Sequence, residues 1–457
     1  MKYVYLLGIG GIGMSALARY YNHAGYRVAG YDRTSSRLTS ELEAEGISVH
    51  FEDNTDLIPG ELIGDKDNTL IIYTPAIPKD LKEYHYFLER GFKIVKRSLV
   101  LGEIASSKKT LAVAGTHGKT TTSTLLAHIF TDSKVGCTAF LGGISKNYHS
   151  NLLLDMGEIL VAEADEFDRS FLQLYPDIAV ITSADADHLD IYSNHRNIKD
   201  AFVAFAAQVK AGGALVVKKG IDLDLSDIAG KKIFEYSYNT PCDFYASNIH
   251  ISDCGFFRFD INHPKGVITD CILGVPGWVN VENAIAATAV ALLSGLNEDS
   301  IKAALANFAG VERRFDIRFN TPKCSYIDDY AHHPKEIAAA ISSMRSIFPG
   351  RRLTAIFQPH LYTRTKDFAM EFAESLSKLD ALILLDIYPA RELPIEGITS
   401  RIIFDSVKLK DKVLIQKAEL METLEKREID ALISFGAGDI DRFVEPITEY
   451  LKKRYDV

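Results

Sequence analysis

Residues 109–122 read KTLAVAGTHGKTTT. The first six form a short, mostly apolar run, which suits a buried strand. A glycine-containing turn follows, and then Lys119 and a run of threonines open the apolar stretch 125–130. Strand, glycine loop and helix make the context that a phosphate-binding loop needs. Backbone N–H groups and the helix N-terminus hold the phosphates. Lys119 then reaches the outer phosphates, and Thr120 offers its hydroxyl to Mg²⁺. The candidate nucleotide contacts are Gly115, Thr116, His117, Gly118, Lys119, Thr120 and Thr121. The loop is shorter than the usual GxxxxGK[ST], because position 113 is Val and the turn starts at Gly115. A glycine-rich turn with a solvated lysine is the plainer alternative. The flanking strand and helix favour the phosphate loop.

A second glycine loop, GIGGIG at residues 8–13, is also in context. Tyr3–Leu7 reads as a strand, and residues 14–18 open a helix. A second strand, Arg27–Tyr31, ends at Asp32. That acid lies about 20 residues past the last glycine, near where a dinucleotide fold places its ribose ligand. Gly8, Gly10, Gly11, Ile12, Gly13 and Asp32 are the candidate contacts, with Thr74 expected beside them. The motif does not choose the diphosphate, since a UDP-linked sugar presents the same pyrophosphate as NAD. Two such loops imply two nucleotide-like ligands meeting on one protein. A dehydrogenase needs only the first loop, and a simple ATPase only the second.

The rest of the chain bounds the class. Its 457 residues suggest about three domains, on a prior of roughly 150 residues each. A net charge of −10 argues against nucleic acid and against an anionic membrane surface. Five scattered cysteines without a CxxC imply neither a disulfide framework nor a zinc site. The N-terminal apolar run is broken by glycine too soon for a signal peptide, and no stretch is long and apolar enough to span a bilayer. A cytoplasmic location is expected.

Pattern divides the chain into 1–107, 108–312 and 313–457. The first segment alternates short apolar runs with polar helical stretches. The second continues from the phosphate loop through strands near 159–164 and 178–182, a β-rich insertion at 242–273 and a helix from about 281 to 293. The third has strands near 353–357, 381–385, 413–415 and 431–435. Alternation of this kind predicts parallel sheets covered by helices. The expected fold is α/β in three domains, Rossmann-like at each end with a phosphate-loop ATPase-like centre.

Acids cluster where ligands of such sheets bind, at the C-terminal strand ends. Asp165, Glu166 and Asp168 follow one strand; Asp185, Asp187, His188 and Asp190 follow the next. A carboxylate and an imidazole near a triphosphate suit Mg²⁺, which keeps few protein ligands. The expected metal set is Thr120, Glu166 and His188. As an acid at an open strand end, Glu166 is expected outside the core, like its acidic neighbours. In the third segment YIDDYAHHPKE (326–336) and QPHLYTRT (358–365) each follow a strand. Their His, Tyr and Arg residues suit a carboxylate or phosphate, although His333 alone is accounted for by a helix cap. ERRF (312–315) lies at the joint of the second and third segments, where an arginine reaches ATP if the domains close.

GIGGIGMSALA, AGTHGKTTT, EADEFDRSFL (163–172), DADHLDIY (185–192), ERRF, DDYAHHPKE and QPHLYTRT occur in order along the whole chain. Together they resemble the Mur ligases, and among them the member acting on UDP-N-acetylmuramate and L-alanine. The resemblance implies ATP and Mg²⁺ as cofactors and amide formation through an acyl phosphate. It implies UDP-N-acetylmuramate on the first domain, ATP on the second and a third that closes over both. By the same resemblance Lys119, Glu166, His188, His332 and Arg364 are catalytic, and Asn283 meets adenine. Arg314 and Asp329 meet ATP from the closing domain, while Tyr330, His332 and Arg364 receive the amino acid. Partners are then small molecules only, on a monomer or weak homodimer. Three positions depart from the family pattern: Ser183 stands for Asn, Val279 for His and Ala331 for Gly. The Ser183 change puts that side chain's contact in question. Residues 200–208 contain no lysine, so no carbamylated lysine is expected. A peptide-recycling ligase, a nucleotide-sugar dehydrogenase and a non-enzymatic ATP switch are the competing readings.

Overall fold

The computed structural model describes residues 2–185, 192, 194–252, 255–390 and 392–455. Its first sheet contains β1 (Tyr3–Leu7), β2 (Arg27–Tyr31), β3 (Ser48–His50), β4 (Thr69–Tyr73) and β5 (Lys93–Lys96). All pair in parallel, in the order β3-β2-β1-β4-β5. The order reverses between β1 and β4, and the crevice at such a switch point is where open α/β sheets bind ligands. GIGGIG leaves β1 and Thr74 follows β4 at this crevice.

The second sheet contains β6 (Lys109–Ala114), β7 (Thr138–Ser145), β8 (Ser150–Leu153), β9 (Ile159–Glu163) and β10 (Ile178–Ile181). It continues with β11 (Ala214–Lys218), β12 (Lys232–Ser237), β13 (Phe244–Ile251), β14 (Phe257–His263) and β15 (Gly266–Ile272). The order is β15-β14-β13-β12-β11-β10-β6-β9-β7-β8. The expected β-rich insertion is β13 to β15. The phosphate-loop strand β6 lies between β9 and β10, parallel to both. Three strand ends therefore converge on one place.

The third sheet contains β16 (Asp316–Asn320), β17 (Ser325–Asp329), β18 (Leu353–Phe357), β19 (Ala381–Leu385), β20 (Asp411–Ile415) and β21 (Ala431–Phe435). The order is β16-β17-β21-β18-β19-β20, and β16 alone is antiparallel to its neighbour. Every residue of β18, β19 and β21 is buried, as expected of strands covered on both faces.

The chain forms two compact units. One comprises Met1–Ser247, Asp260–Thr269 and Asn283–Ala309; the other comprises Asn248–Phe259, Asp270–Glu282 and Gly310–Val457. Inside the first unit, the helix Ile12–His23 is pinned to the second sheet. Arg19 Nη1 donates to Asn151 Oδ1 at 2.5 Å, and Asn151 Nδ2 donates to Ile12 O at 2.6 Å. One apolar cluster runs from Val4 and Leu6 to Leu215 and Val217. The first two sheets thus share a core.

A buried polar chain lies under the first sheet. The Tyr5 hydroxyl is 2.6 Å from both Glu83 Oε2 and His50 Nε2. Glu83 is fully buried, and burial raises its carboxyl to about 7, against the hydrogen bond from Tyr5. A carboxyl raised on folding stabilises the fold at low pH and loses that contribution as pH climbs from about 4.5 to about 7. Glu83→Gln keeps the shape and removes the titration. Its stability relative to wild type should rise by up to about 3 kcal/mol between pH 4.5 and 7 and then level off. Denaturant melts at several pH values measure this. A difference that stays constant from pH 5 to 9 would rule it out.

Candidate active site

In the first unit the phosphate loop is held by its neighbours. Gly115 has φ +137°, and a Cβ there would overlap Thr182 Oγ1. Thr182 Oγ1 donates to His117 O at 2.5 Å, and His117 N donates to Ser183 Oγ at 2.8 Å. Thr116 Oγ1 lies 2.9 Å from Ser183 Oγ. The serine that replaces the family's asparagine therefore does bond the loop, through its hydroxyl. Gly118 caps the helix Lys119–Asp132 in the left-handed region. Asn283 abuts Gly118, and its Oδ1 accepts from Thr122 Oγ1 at 3.2 Å. Thr121 is buried in that helix, while Val279 is 41% exposed.

Lys119 and Glu166 form the centre. Lys119 Nζ lies 2.9 Å from Glu166 Oε1 and 2.8 Å from Oε2, and it also donates to Gly115 O at 2.5 Å. Glu166 is fully buried, so the expectation that these acids lie outside the core is corrected. Parallel pairing of β6 with β9 brings the carboxylate over the loop, where Lys119 supplies the charge that burial requires. Burial pulls the lysine down, but Glu166, Glu163 and Asp165 outweigh it and raise it. Thr120 Oγ1 donates to Glu163 Oε1 at 3.2 Å. Thr120, Glu163 and Glu166 thus gather hard oxygen donors beside the loop, the chemistry Mg²⁺ takes. His188 lies outside the described residues, as do Asp187 and Asp190.

The N-terminal loop lies in the same unit. Gly10 N donates to Asp32 Oδ2 at 2.8 Å, and Thr34 N donates to Asp32 Oδ1 at 3.1 Å. Asp32 therefore shapes the loop that it follows. Gly8 packs on the Thr74 methyl, and Ile12 is partly exposed at the helix start. A Cβ on Gly13 would overlap Arg97 Nη1. Arg97 Nη2 in turn pairs with Asp165 Oδ2 at 3.3 Å, one residue from Glu166. Lys96 pairs with Asp168. Sequence reasoning missed this basic pair, although its position at the end of a strand was a usable signal.

In the second unit, loops after β17, β21, β18 and β19 gather at their C-terminal ends. Asp329 ends β17, and burial raises its carboxyl to about 7 against the pull of Arg314. Arg314 lies over the Tyr330 ring at 4.8 Å. His332 Nδ1 is 3.0 Å from Tyr330 O. A carbonyl only accepts, so in that bond Nδ1 carries the hydrogen and the neutral ring has its lone pair on Nε2. Rings then succeed one another: Tyr330–His332 at 5.4 Å, His332–His360 at 6.0 Å and His360–Tyr388 at 5.8 Å. Arg364, buried, donates from Nη1 to His360 Nδ1 at 3.3 Å. His333 caps the helix Pro334–Ile347, with Glu336 closing a capping box. His360 and Tyr388 join this group only through strand order.

Two glycine-loop crevices, a lysine–glutamate pair at a phosphate loop and a separate cluster of His, Tyr and Arg define a nucleotide-dependent transfer enzyme. Comparison with known proteins is specific. Residues 3–109 match the Mur ligase family catalytic domain, 113–291 the Mur ligase middle domain and 313–440 the Mur ligase glutamate ligase domain. The UDP-N-acetylmuramate–L-alanine ligase of Parabacteroides distasonis is 52% identical over 99% of this chain and 97% of its own length. The ligase of the same name from Porphyromonas gingivalis is 50% identical over 99% of both. The crystal structure of the UDP-N-acetylmuramate–alanine ligase of Thermotoga maritima matches with a TM-score of 0.84 at 27% identity, covering 99% of this chain and 100% of that one. A murein peptide ligase from Psychrobacter arcticus shares the fold, with a TM-score of 0.70 at 21% identity over 99% and 98%. The chain belongs to the Mur ligase family, the ATP- and Mg²⁺-dependent ligases of peptidoglycan synthesis.

Proposed function

We propose that this chain joins L-alanine to the carboxylate of UDP-N-acetylmuramate, with ATP converted to ADP and phosphate. Arg97 carries the reading. It touches Gly13 of the first loop and pairs with Asp165 beside Glu166. A sugar diphosphate on the first loop is thus one arginine away from the phosphate-transfer groups. Residues 1–107 serve the UDP-sugar, 108–312 ATP and 313–457 the amino acid. The enzyme works in the cytoplasm, where nucleotide-linked precursors and ATP occur, as a monomer or weak homodimer. Among the described residues no helix is long and apolar enough to cross a membrane.

The muramate carboxylate attacks the γ-phosphate, and ADP leaves. The amine of L-alanine then attacks the acyl carbon and expels phosphate. Two anions must approach for the first step, and Lys119 lowers that repulsion by contacting the outer phosphates. Phosphate oxygens then replace Glu166 as its partner. Mg²⁺, held by Thr120, Glu166 and His188, would neutralise further phosphate charge. Asn283 and the loop amides seat the nucleotide. Arg314 and Asp329 contact it from the third domain. Arg364 pairs with the alanine carboxylate, and Tyr330 lines that site. His332 takes the proton from the alanine ammonium through Nε2, so that a neutral amine attacks.

ADP release that requires both UDP-N-acetylmuramate and L-alanine tests the reading. Release with a peptide but not with alanine would instead mark the recycling ligase. The first loop has its own test. A Cβ on Gly11 would meet nothing closer than Gly8 O at 3.5 Å, unlike one on Gly13. Gly11→Val should therefore fold and obstruct only the ligand. Its KM for UDP-N-acetylmuramate should rise about tenfold or more, ~1.4 kcal/mol, with that for ATP unchanged. Tight NADH binding that competes with UDP-N-acetylmuramate would refute the assignment.

A further inference from the structure

Adjacent arginines at the start of the second unit share the Tyr330 ring, which Arg313 approaches to 5.3 Å and Arg314 to 4.8 Å, and Arg313 has a buried carboxylate beside it as well. Arg313 turns inward to Asp328, which is fully buried. Arg313 Nε donates to Asp328 Oδ2 at 3.0 Å, and Nη2 donates to Gly436 O at 2.7 Å. The other carboxylate oxygen, Asp328 Oδ1, accepts from Ser434 Oγ at 2.7 Å, and Ser434 Oγ lies 2.9 Å from the Tyr326 hydroxyl. The Arg313 backbone is held as well. Its carbonyl accepts from Tyr330 N at 2.6 Å, and its N–H donates to Asp316 Oδ2 at 3.4 Å.

The segment so held is strained. Arg313 has φ +61° and Phe315 φ +48°, both in the left-handed region that side chains disfavour. Two such residues within three positions persist only where the surroundings fix them. The fork of Arg313 supplies that fixation, reaching β17 through Asp328 and the loop after β21 through Gly436. A lysine lacks the rigid planar fork whose separated nitrogens reach both partners at once. A buried ion pair is a poor source of stability compared with apolar packing, and its best-attested use is to specify one arrangement. The arrangement specified here places Arg314 over the Tyr330 ring, beside Asp329.

We propose that Arg313 and Asp328 are positioning residues for the ATP step: their pairing holds residues 313–315 against β17 so that Arg314 and Asp329 are presented together. The inference rests on the reading of Arg314 as an ATP contact. Arg313 acts through Arg314 and is not itself a substrate contact.

The experiment uses full-length enzyme with Arg313→Lys, Asp328→Asn, their double variant and Arg314→Ala. Thermal melts are recorded alongside steady-state kinetics for each substrate. Arg313→Lys and Asp328→Asn should each raise the KM for ATP about tenfold and leave that for UDP-N-acetylmuramate within about twofold. The double variant should be no worse than either single one, because one interaction is removed once. Arg314→Ala should be impaired at least as strongly. An impaired Arg314→Ala beside Arg313→Lys and Asp328→Asn that lower only the melting temperature would overturn the positioning role. An Arg314→Ala with an ordinary KM for ATP would overturn the assignment of Arg314, and the positioning role with it.

Discussion

Lys119→Ala should abolish ADP release, lowering turnover by at least about a thousandfold, ~4 kcal/mol of barrier. Affinity for UDP-N-acetylmuramate, whose loop is distinct, should stay near wild type. The variant should also be less stable. Glu166 is fully buried, and Lys119 lies 2.8 Å from it. Removing one partner of a buried pair costs up to about 3–5 kcal/mol. Calorimetry with UDP-N-acetylmuramate separates a folded, inactive enzyme from an unfolded one. Near-normal turnover in a folded variant would remove the phosphate-loop assignment.

Glu166→Gln should lower kcat by about a hundredfold, ~2.7 kcal/mol, and raise the Mg²⁺ concentration needed for half-maximal activity. Gln keeps the shape, and its amide oxygen still accepts from Lys119, so stability should fall less than in Lys119→Ala. A Mg²⁺ titration of initial rates makes the measurement. Unchanged kcat and an unchanged Mg²⁺ requirement would leave Glu166 only a structural partner of Lys119. His188→Ala should act in the same direction but more weakly, since a neutral imidazole brings no charge.

Much of the local architecture is legible from pattern alone. The apolar runs Tyr3–Leu7, Lys109–Ala114, Leu353–Phe357 and Ala431–Phe435 are strands with the bounds that the sequence suggests. HHPKE shows its helix start in advance, because an N-cap, a proline in the first turn and a glutamate at the third position are local signals. The two glycine loops are equally local, since strand, turn and helix follow within a few residues. The motifs also show that acids and histidines lie at strand ends.

Which of those groups meet is a different matter. Three acids follow β9, yet only Glu166 meets Lys119; Asp165 and Asp168 turn to Arg97 and Lys96. Ser183 contacts the loop across 66 residues of chain, from His117. His360 and Tyr388 come together through an isolated bridge between separate loops. Arg313 meets Asp328 because β17 folds back beside it. Sequence by itself determined the elements, the two phosphate cradles and the candidate set. Tertiary structure alone decided the pairings and the burial of Glu166. Spacing along the chain reports the periodicity of one element, whereas partner choice follows strand order, which closes loops of tens of residues.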